Sequence, residues 1–291
     1  MENYKNILVP FDFNEQSEIA LGQSYNIARL SKLDITLLYV HEESNLISKF
    51  FSADQSEELM GKMKAELDEF AGIKSKETGL RISGMVAKGK IYSKIVEIAD
   101  MIEAKFIIMG KASTYNDDES TIGANASRVI RHAKCPVITI SSEHNYNGCR
   151  SILVPIDLTL ESRQKVSWAI EMAKLFGSTI KVVSVLWSVN HKGIVKELHA
   201  KIQQVVNFIE ERNIRCTAEI IEAAKESDDV PTMLVYAKQQ GDIDLIMIMT
   251  QQETSIIPFF VSSQTTEFIR KADIPVMSII PKDMGETLSF K

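Results

Sequence analysis

Two tandem, doubly wound α/β domains, each a five-stranded parallel sheet flanked by helices, are predicted by three features of the sequence. The length of 291 residues exceeds that of one ordinary domain, which runs to about 100–200 residues. One stretch of the chain returns with little change 145 positions later. Within each copy, short continuously apolar runs alternate with segments of helical periodicity.

The repeat begins at the first strand. Lys5-Asn6-Ile7-Leu8-Val9-Pro10-Phe11-Asp12 reappears as Arg150-Ser151-Ile152-Leu153-Val154-Pro155-Ile156-Asp157, an offset of 145 (150 minus 5). It holds without a gap through Ser17 and Ser162, Ala28 and Ala173, Leu30 and Leu175, and Ile35 and Ile180. Near the end of each copy, Val129-Ile130-Arg131-His132-Ala133-Lys134-Cys135-Pro136-Val137 corresponds to Phe268-Ile269-Arg270-Lys271-Ala272-Asp273-Ile274-Pro275-Val276, at an offset of 139 (275 minus 136). The second copy therefore carries a small net deletion. The polar stretch 141–148 separates the copies into domains 1–144 and 145–291.

Residues 7–9, 35–40, 82–86, 106–109 and 137–140 read as the five strands of the first copy. Their continuous apolar character predicts a parallel sheet covered on both faces. After the first strand, Asn14 is a good helix N-cap, and Glu15 and Glu18 fall in the first turn, where the helix dipole favours negative charge. In the matching helix of the second copy, Val166, Ala169, Ile170 and Ala173 recur at i, i+3, i+4 and i+7, a stripe that packs on a sheet. Such alternation implies right-handed crossovers, and a ligand would sit beyond the carboxyl ends of the strands.

Composition narrows the function. A net charge of −6 and a pI near 5.5 oppose a nucleic-acid partner, which needs a basic face. The longest apolar runs are strand-sized, too short for a membrane span of about 18 residues. The start, Met1-Glu2-Asn3-Tyr4-Lys5, has no signal-peptide character, and the expected compartment is the cytoplasm. Cys135, Cys149 and Cys216 form no CxxC pair and suit a reducing compartment. His41, His132, His144, His191 and His199 show no zinc spacing, so no metal site is expected; His132 is expected at the C-terminal end of its helix, where a cation is welcome.

The Ile-Leu-Val-Pro-x-Asp that opens both copies, Val40 closing the second strand, Met109-Gly110 ending the fourth, and Arg-His-Ala-Lys-Cys-Pro-Val before the fifth together resemble the universal stress proteins. The likeness covers nearly the whole chain, twice. It implies two tandem Rossmann-like domains and a non-enzymatic cytoplasmic stress-response role. The nucleotide-binding members of that family point to Pro10, Asp12, Val40, Met109, Gly110 and Gly123 as the positions here that would hold an adenine nucleotide. For Asp12 two readings stand side by side, a nucleoside contact and a turn residue bonded to its own backbone. Val40 also reads as strand core bordering the cleft, and Pro10 as a rigid lead into the turn.

Those members carry a loop Gly-x2-Gly-x9-Gly-Ser/Thr after the fourth strand. Glycines let backbone N–H groups approach phosphate oxygens, and the following helix N-terminus favours the anion. In the first copy the four positions are Gly110, Ser113, Gly123 and Ala124, so two survive, and the hydroxyl lost at Ala124 removes a hydrogen bond of about 0.5–1.5 kcal/mol. Asp117, Asp118 and Glu119 add negative charge to the loop against Lys111, which a divalent cation would offset or a solvated loop tip would ignore. In the second copy the positions are Met249, Gln252, Ser262 and Ser263, although Asp157 and Val185 still match the adenine end. The resemblance thus implies ATP or AMP, held weakly and in the first domain only, with magnesium only alongside nucleotide.

Two other readings compete. With both clefts degenerate, the chain would be a nucleotide-free interaction module for a protein partner. An adenylating enzyme would need Ser-Gly-Gly-x-Asp-Ser or His-x-Gly-His, and neither occurs. The apolar fifth strands, hazardous as open edges, imply that the two domains pair with each other, and a homodimer of whole chains is compatible with this. Phe50 and Phe51, in the segment 42–60, suggest a lid, a contact surface or a buried loop anchor.

Overall fold

Branched and long aliphatic side chains pack well on a pleated surface, and the apolar runs are strands for that reason. The computed structural model describes residues 5–42, 53–111, 122–140, 148–156, 162–186, 192–225, 228–250 and 263–280. The chain divides into two compact units, Met1–Asn145 and Tyr146–Lys291. The first runs β1 (Asn6–Pro10), α1 (Glu15–Ser31), β2 (Asp34–His41), α2 (Ala53–Thr78), β3 (Ile82–Lys88), α3 (Ile91–Met101), β4 (Ala104–Gly110), α4 (Ala124–His132) and β5 (Val137–Ile140). Its strands are all parallel, in the order β3-β2-β1-β4-β5.

The second unit repeats the series as β6 (Ser151–Pro155), α5 (Ser162–Phe176), β7 (Thr179–Leu186), α6 (Lys192–Glu210), β8 (Cys216–Glu222), α7 (Asp229–Gln240), β9 (Ile243–Met249), α8 (Ser263–Lys271) and β10 (Val276–Ile279). Its parallel order is β8-β7-β6-β9-β10. In both units the first strand lies beside the fourth, and the connections from these two neighbours leave in opposite directions. Such a divergence opens a crevice at the carboxyl ends of the strands.

Burial follows position in the sheet. Ile7, Leu8, Val9, Ile35 and Leu37 in the first unit are fully buried, as are Ile152, Leu153 and Val154 in the second. Each such side chain contributes about 1.5–3 kcal/mol by leaving water. The stripe Val166, Ala169, Ile170 and Ala173 is buried as well, which fixes the sheet-facing side of α5. Two strands depart from the expectation of two covered faces: Ser83 and Lys88 of β3, and Thr217, Ala218, Glu219 and Glu222 of β8, are exposed. At the other end of each unit's order β5 and β10 are buried throughout.

The net deletion proves to be two changes of opposite sign. The offset is 145 from β1 to β6 and from β2 to β7, falls to 134 from β3 to β8, and rises to 139 from β4 to β9 and from β5 to β10. The loss falls in the α2 region, where 26 residues become 19 in α6. The amino edges of the sheets also differ. In the second unit Arg150 pairs with the buried Asp244 at 3.0 Å, and Lys181 pairs with Asp242 at 2.8 Å. Burial acts to raise the carboxyl pKa of Asp242, but hydrogen bonds from Lys181 and Ser151 outweigh it and hold the group below the ordinary range. In the first unit the amino edge carries a different pair, Arg81 with Asp34 at 3.1 Å, and Asn6 Nδ2 donates to the Ile102 carbonyl at 3.2 Å.

Among the described residues no helix is long and apolar enough to cross a membrane, and no three His, Cys, Asp or Glu side chains cluster as a metal site. The Cys149 and Cys216 thiols are each pushed up to about 12, chiefly by burial, and are poor nucleophiles.

Two glycines test this packing in opposite directions. Gly22 is exposed within α1 with nothing near its missing Cβ, whereas a Cβ on Gly84 in β3 would lie 2.9 Å from Leu67 Cγ of α2. Gly22→Ala is expected to raise stability by about 0.5–1 kcal/mol. Gly84→Ala is expected to lower it by about 1–3 kcal/mol through overpacking. Urea denaturation of the two variants reads both signs.

Candidate functional site

The crevice of the first unit is bounded on one side by the β1–α1 turn. Pro10 ends β1, and the Phe11 N–H continues the pairing to β2 by donating to the Leu38 carbonyl at 2.9 Å. Phe13 then takes a left-handed φ of 62°, a conformation that costs a bulky residue on the order of 1–3 kcal/mol. Aromatic packing holds it there: its ring lies edge-on to Phe11 at 5.1 Å and to Phe70 of α2 at 5.8 Å. Asn14 caps α1, its Oδ1 accepting from the Ser17 N–H at 2.8 Å.

Asp12 performs the turn role foreseen for it. Its Oδ1 accepts from the Asn14 N–H at 3.3 Å and its Oδ2 from Asn14 Nδ2 at 2.9 Å. The carboxylate is exposed and has lone pairs to spare for a ligand. Val40 lies near the end of β2, half-buried and in register with Ala87 of β3. Just beyond, the Gly89 N–H donates to the His41 carbonyl at 3.0 Å, which ties the ends of β2 and β3 together at the same edge.

The other side of the crevice is the end of β4, where Met109 is buried and Gly110 closes the strand. A Cβ on Gly110 would lie 3.0 Å from Gln16 Cβ, 3.4 Å from the Gln16 carbonyl oxygen and 3.5 Å from Gln16 Oε1. The first turn of α1 thus rests directly on the glycine. The Lys111 N–H donates to the Ile140 carbonyl at 2.9 Å, and the Gly123 N–H to the Lys111 carbonyl at 2.8 Å. This last bond closes the base of the loop and brings Gly110 and Gly123, separated in sequence, to one place. Gly123 is the N-cap of α4 and supplies no side-chain hydrogen bond to the N–H groups of the helix's first turn. Lys111 itself is buried.

Ser113, Asp117, Asp118 and Glu119 lie outside the described residues, as do Phe50, Phe51, Asp157, Gln252 and Ser262. In the second unit, Met249 ends β9 where Gly110 ends β4, and it is buried. The Thr250 N–H donates to the Ile279 carbonyl at 2.9 Å, the equivalent of the Lys111 bond. Thr265 Oγ1 donates to the Met249 carbonyl at 2.8 Å. The backbone frame persists while the glycine opening does not. Val185 lies in β7, in register with Ile221. His132 is the last residue of α4, at the predicted C-terminal position, with its ring 6.0 Å from Tyr92.

The sequence pattern of the universal stress protein family matches residues 3–141 and again 148–279. The chain belongs to the universal stress protein family. It is a tandem member, with one universal stress protein domain in each unit. A universal stress protein of Methanocaldococcus jannaschii is 30% identical over 141 residues, covering 47% of this chain and 82% of the relative. A second from the same organism is 27% identical over 158 residues, covering 49% of this chain and 98% of the relative. The crystal structure of a universal stress protein from Archaeoglobus fulgidus superposes with a TM-score of 0.75 at 18% identity, over 96% of this chain and 97% of that one, a likeness of fold.

Gln16 and Phe13 went unnoticed in the sequence. Asp12 drew attention as part of a motif, but the residue four positions later faces the same crevice only because the helix begins between them. The contact also alters the meaning of Gly110. A bulky residue there would displace α1, so loss of a ligand on such a substitution would report packing as much as phosphate contact.

The Asn14 cap is testable in isolation. Asn14→Ala is expected to cost about 0.5–2 kcal/mol, read as a lower urea midpoint.

Proposed function

We infer that this tandem universal stress protein is a non-enzymatic cytoplasmic stress-response protein whose first domain, 1–144, holds ATP or AMP weakly, while its second domain, 145–291, holds no triphosphate. The observation that carries the reading is the loop base of the first domain. Gly110 and Gly123 meet beside the crevice, at a helix N-terminus whose N-cap residue brings no side chain, where an anion is favoured. Asp12, Pro10, Val40 and Met109 are placed along the same carboxyl edge of the sheet, at the ends of β1, β2 and β4. In the second domain, Met249 puts a side chain where the first has none.

Magnesium would enter only with a nucleotide, whose phosphates it would bridge to carboxylates. The apolar fifth strands favour pairing of the two domains within the chain, and a homodimer is compatible with that pairing. The second reading, a nucleotide-free interaction module, draws on the N–H groups of Lys111 and Gly123, which are already bonded within the protein and cannot also cradle phosphate.

Gly123→Asp separates the readings without harming the fold. An aspartate is a good N-cap, so α4 is expected to hold or gain a few tenths of a kcal/mol, whereas its charge faces any bound phosphate. With wild-type protein, AMP or ATP and magnesium at about ten times the Kd should stabilise by about 1.4 kcal/mol in a thermal shift. Gly123→Asp should abolish the shift while its ligand-free Tm stays level or rises. No shift in the wild type at millimolar nucleotide would remove the nucleotide reading.

A further inference from the structure

We propose that Gln16 is the residue of the first domain that recognises the phosphate nearest the sugar, making the site selective for nucleotides over nucleosides; this rests on the nucleotide reading above. Gln16 is half-buried in the first turn of α1, with its Cβ and Oε1 against Gly110 at the end of β4. Four residues before it, on the same turn, is the exposed carboxylate of Asp12. Gln16 therefore stands between the two ends of the crevice. A nucleotide with its sugar near Asp12 and its phosphate chain directed toward Gly123 passes over Gly110, and the first phosphorus arrives beside the Gln16 amide.

The chemistry of the side chain fits that place. A neutral amide offers two N–H donors and one acceptor, so it serves an anionic oxygen without adding charge beside Asp12. A carboxylate of the same shape offers acceptors alone and repels phosphate. The repeat has made this exchange already: at the offset of 145 (161 minus 16) the second copy carries Glu161. The copy that replaces the loop glycine with Met249 thus also carries an acid at the aligned sequence position. One change adds bulk and the other negative charge, and both are unfavourable to a phosphate.

Gln16→Glu transfers the second copy's residue into the first, and isothermal titration of the full chain with AMP and, by competition, with adenosine reads the outcome. The expected result is AMP affinity lowered about tenfold or more, with adenosine affinity unchanged within about twofold. Gln16→Ala should lower AMP affinity about threefold, again sparing adenosine. If the wild type binds AMP but Gln16→Glu weakens AMP and adenosine alike, or neither, the proposal is overturned and the nucleotide reading stands. If the wild type binds no AMP, the nucleotide reading itself fails. The ligand-free Tm of each variant, expected to match the wild type, separates a binding effect from unfolding.

Discussion

The closeness of α1 to the end of β4 governs the carboxyl edge of the first unit. With 3.0 Å between a notional Cβ at position 110 and Gln16 Cβ, only glycine fits without displacing the helix. That approach sets the level of the β1–α1 turn, and with it the exposed carboxylate of Asp12 and the capped start of α1. The left-handed Phe13, clasped by Phe11 and Phe70, fixes the same turn from the side of α2. Close-packed interiors transmit small displacements, so the two sides of the crevice are held by one piece of packing.

The two copies show which parts of a fold resist change. The frame is conserved by burial: β1 and β6 are equally dry, and the bond from Lys111 to Ile140 has its equivalent from Thr250 to Ile279. Losing any of these would cost the whole sheet. The residue at the end of β4 is held to glycine by the first turn of α1, whereas at the end of β9 a methionine is simply more core. The amino edge changed its ion pairs as well, from Arg81 with Asp34 to Arg150 with the buried Asp244, with the strand order intact.

Much of this was legible in the residues. Every strand of the first copy was readable as an apolar run, because buried parallel strands need no polar face, and Asn14 announced the start of α1 through its side-chain chemistry. The exposure of β3 and β8 was not legible, since it depends on what the rest of the chain lays over a strand, and β5 and β10 at the other ends of the two orders are buried. The paired insertion and deletion was hidden within a single net difference of offsets. Gln16 was invisible for a further reason: its neighbour Gly110 is 94 positions away (110 minus 16), and only the crossover topology brings them together.

The proposed asymmetry of nucleotide binding between the two domains is tested most directly by backbone amide NMR of the full chain during titration with magnesium and ATP. The account predicts shifts at Gly110, Gly123 and the first turn of α4, with Met249, Thr250 and the first turn of α8 unmoved. Shifts centred on Met249 and α8, with α4 silent, would contradict it.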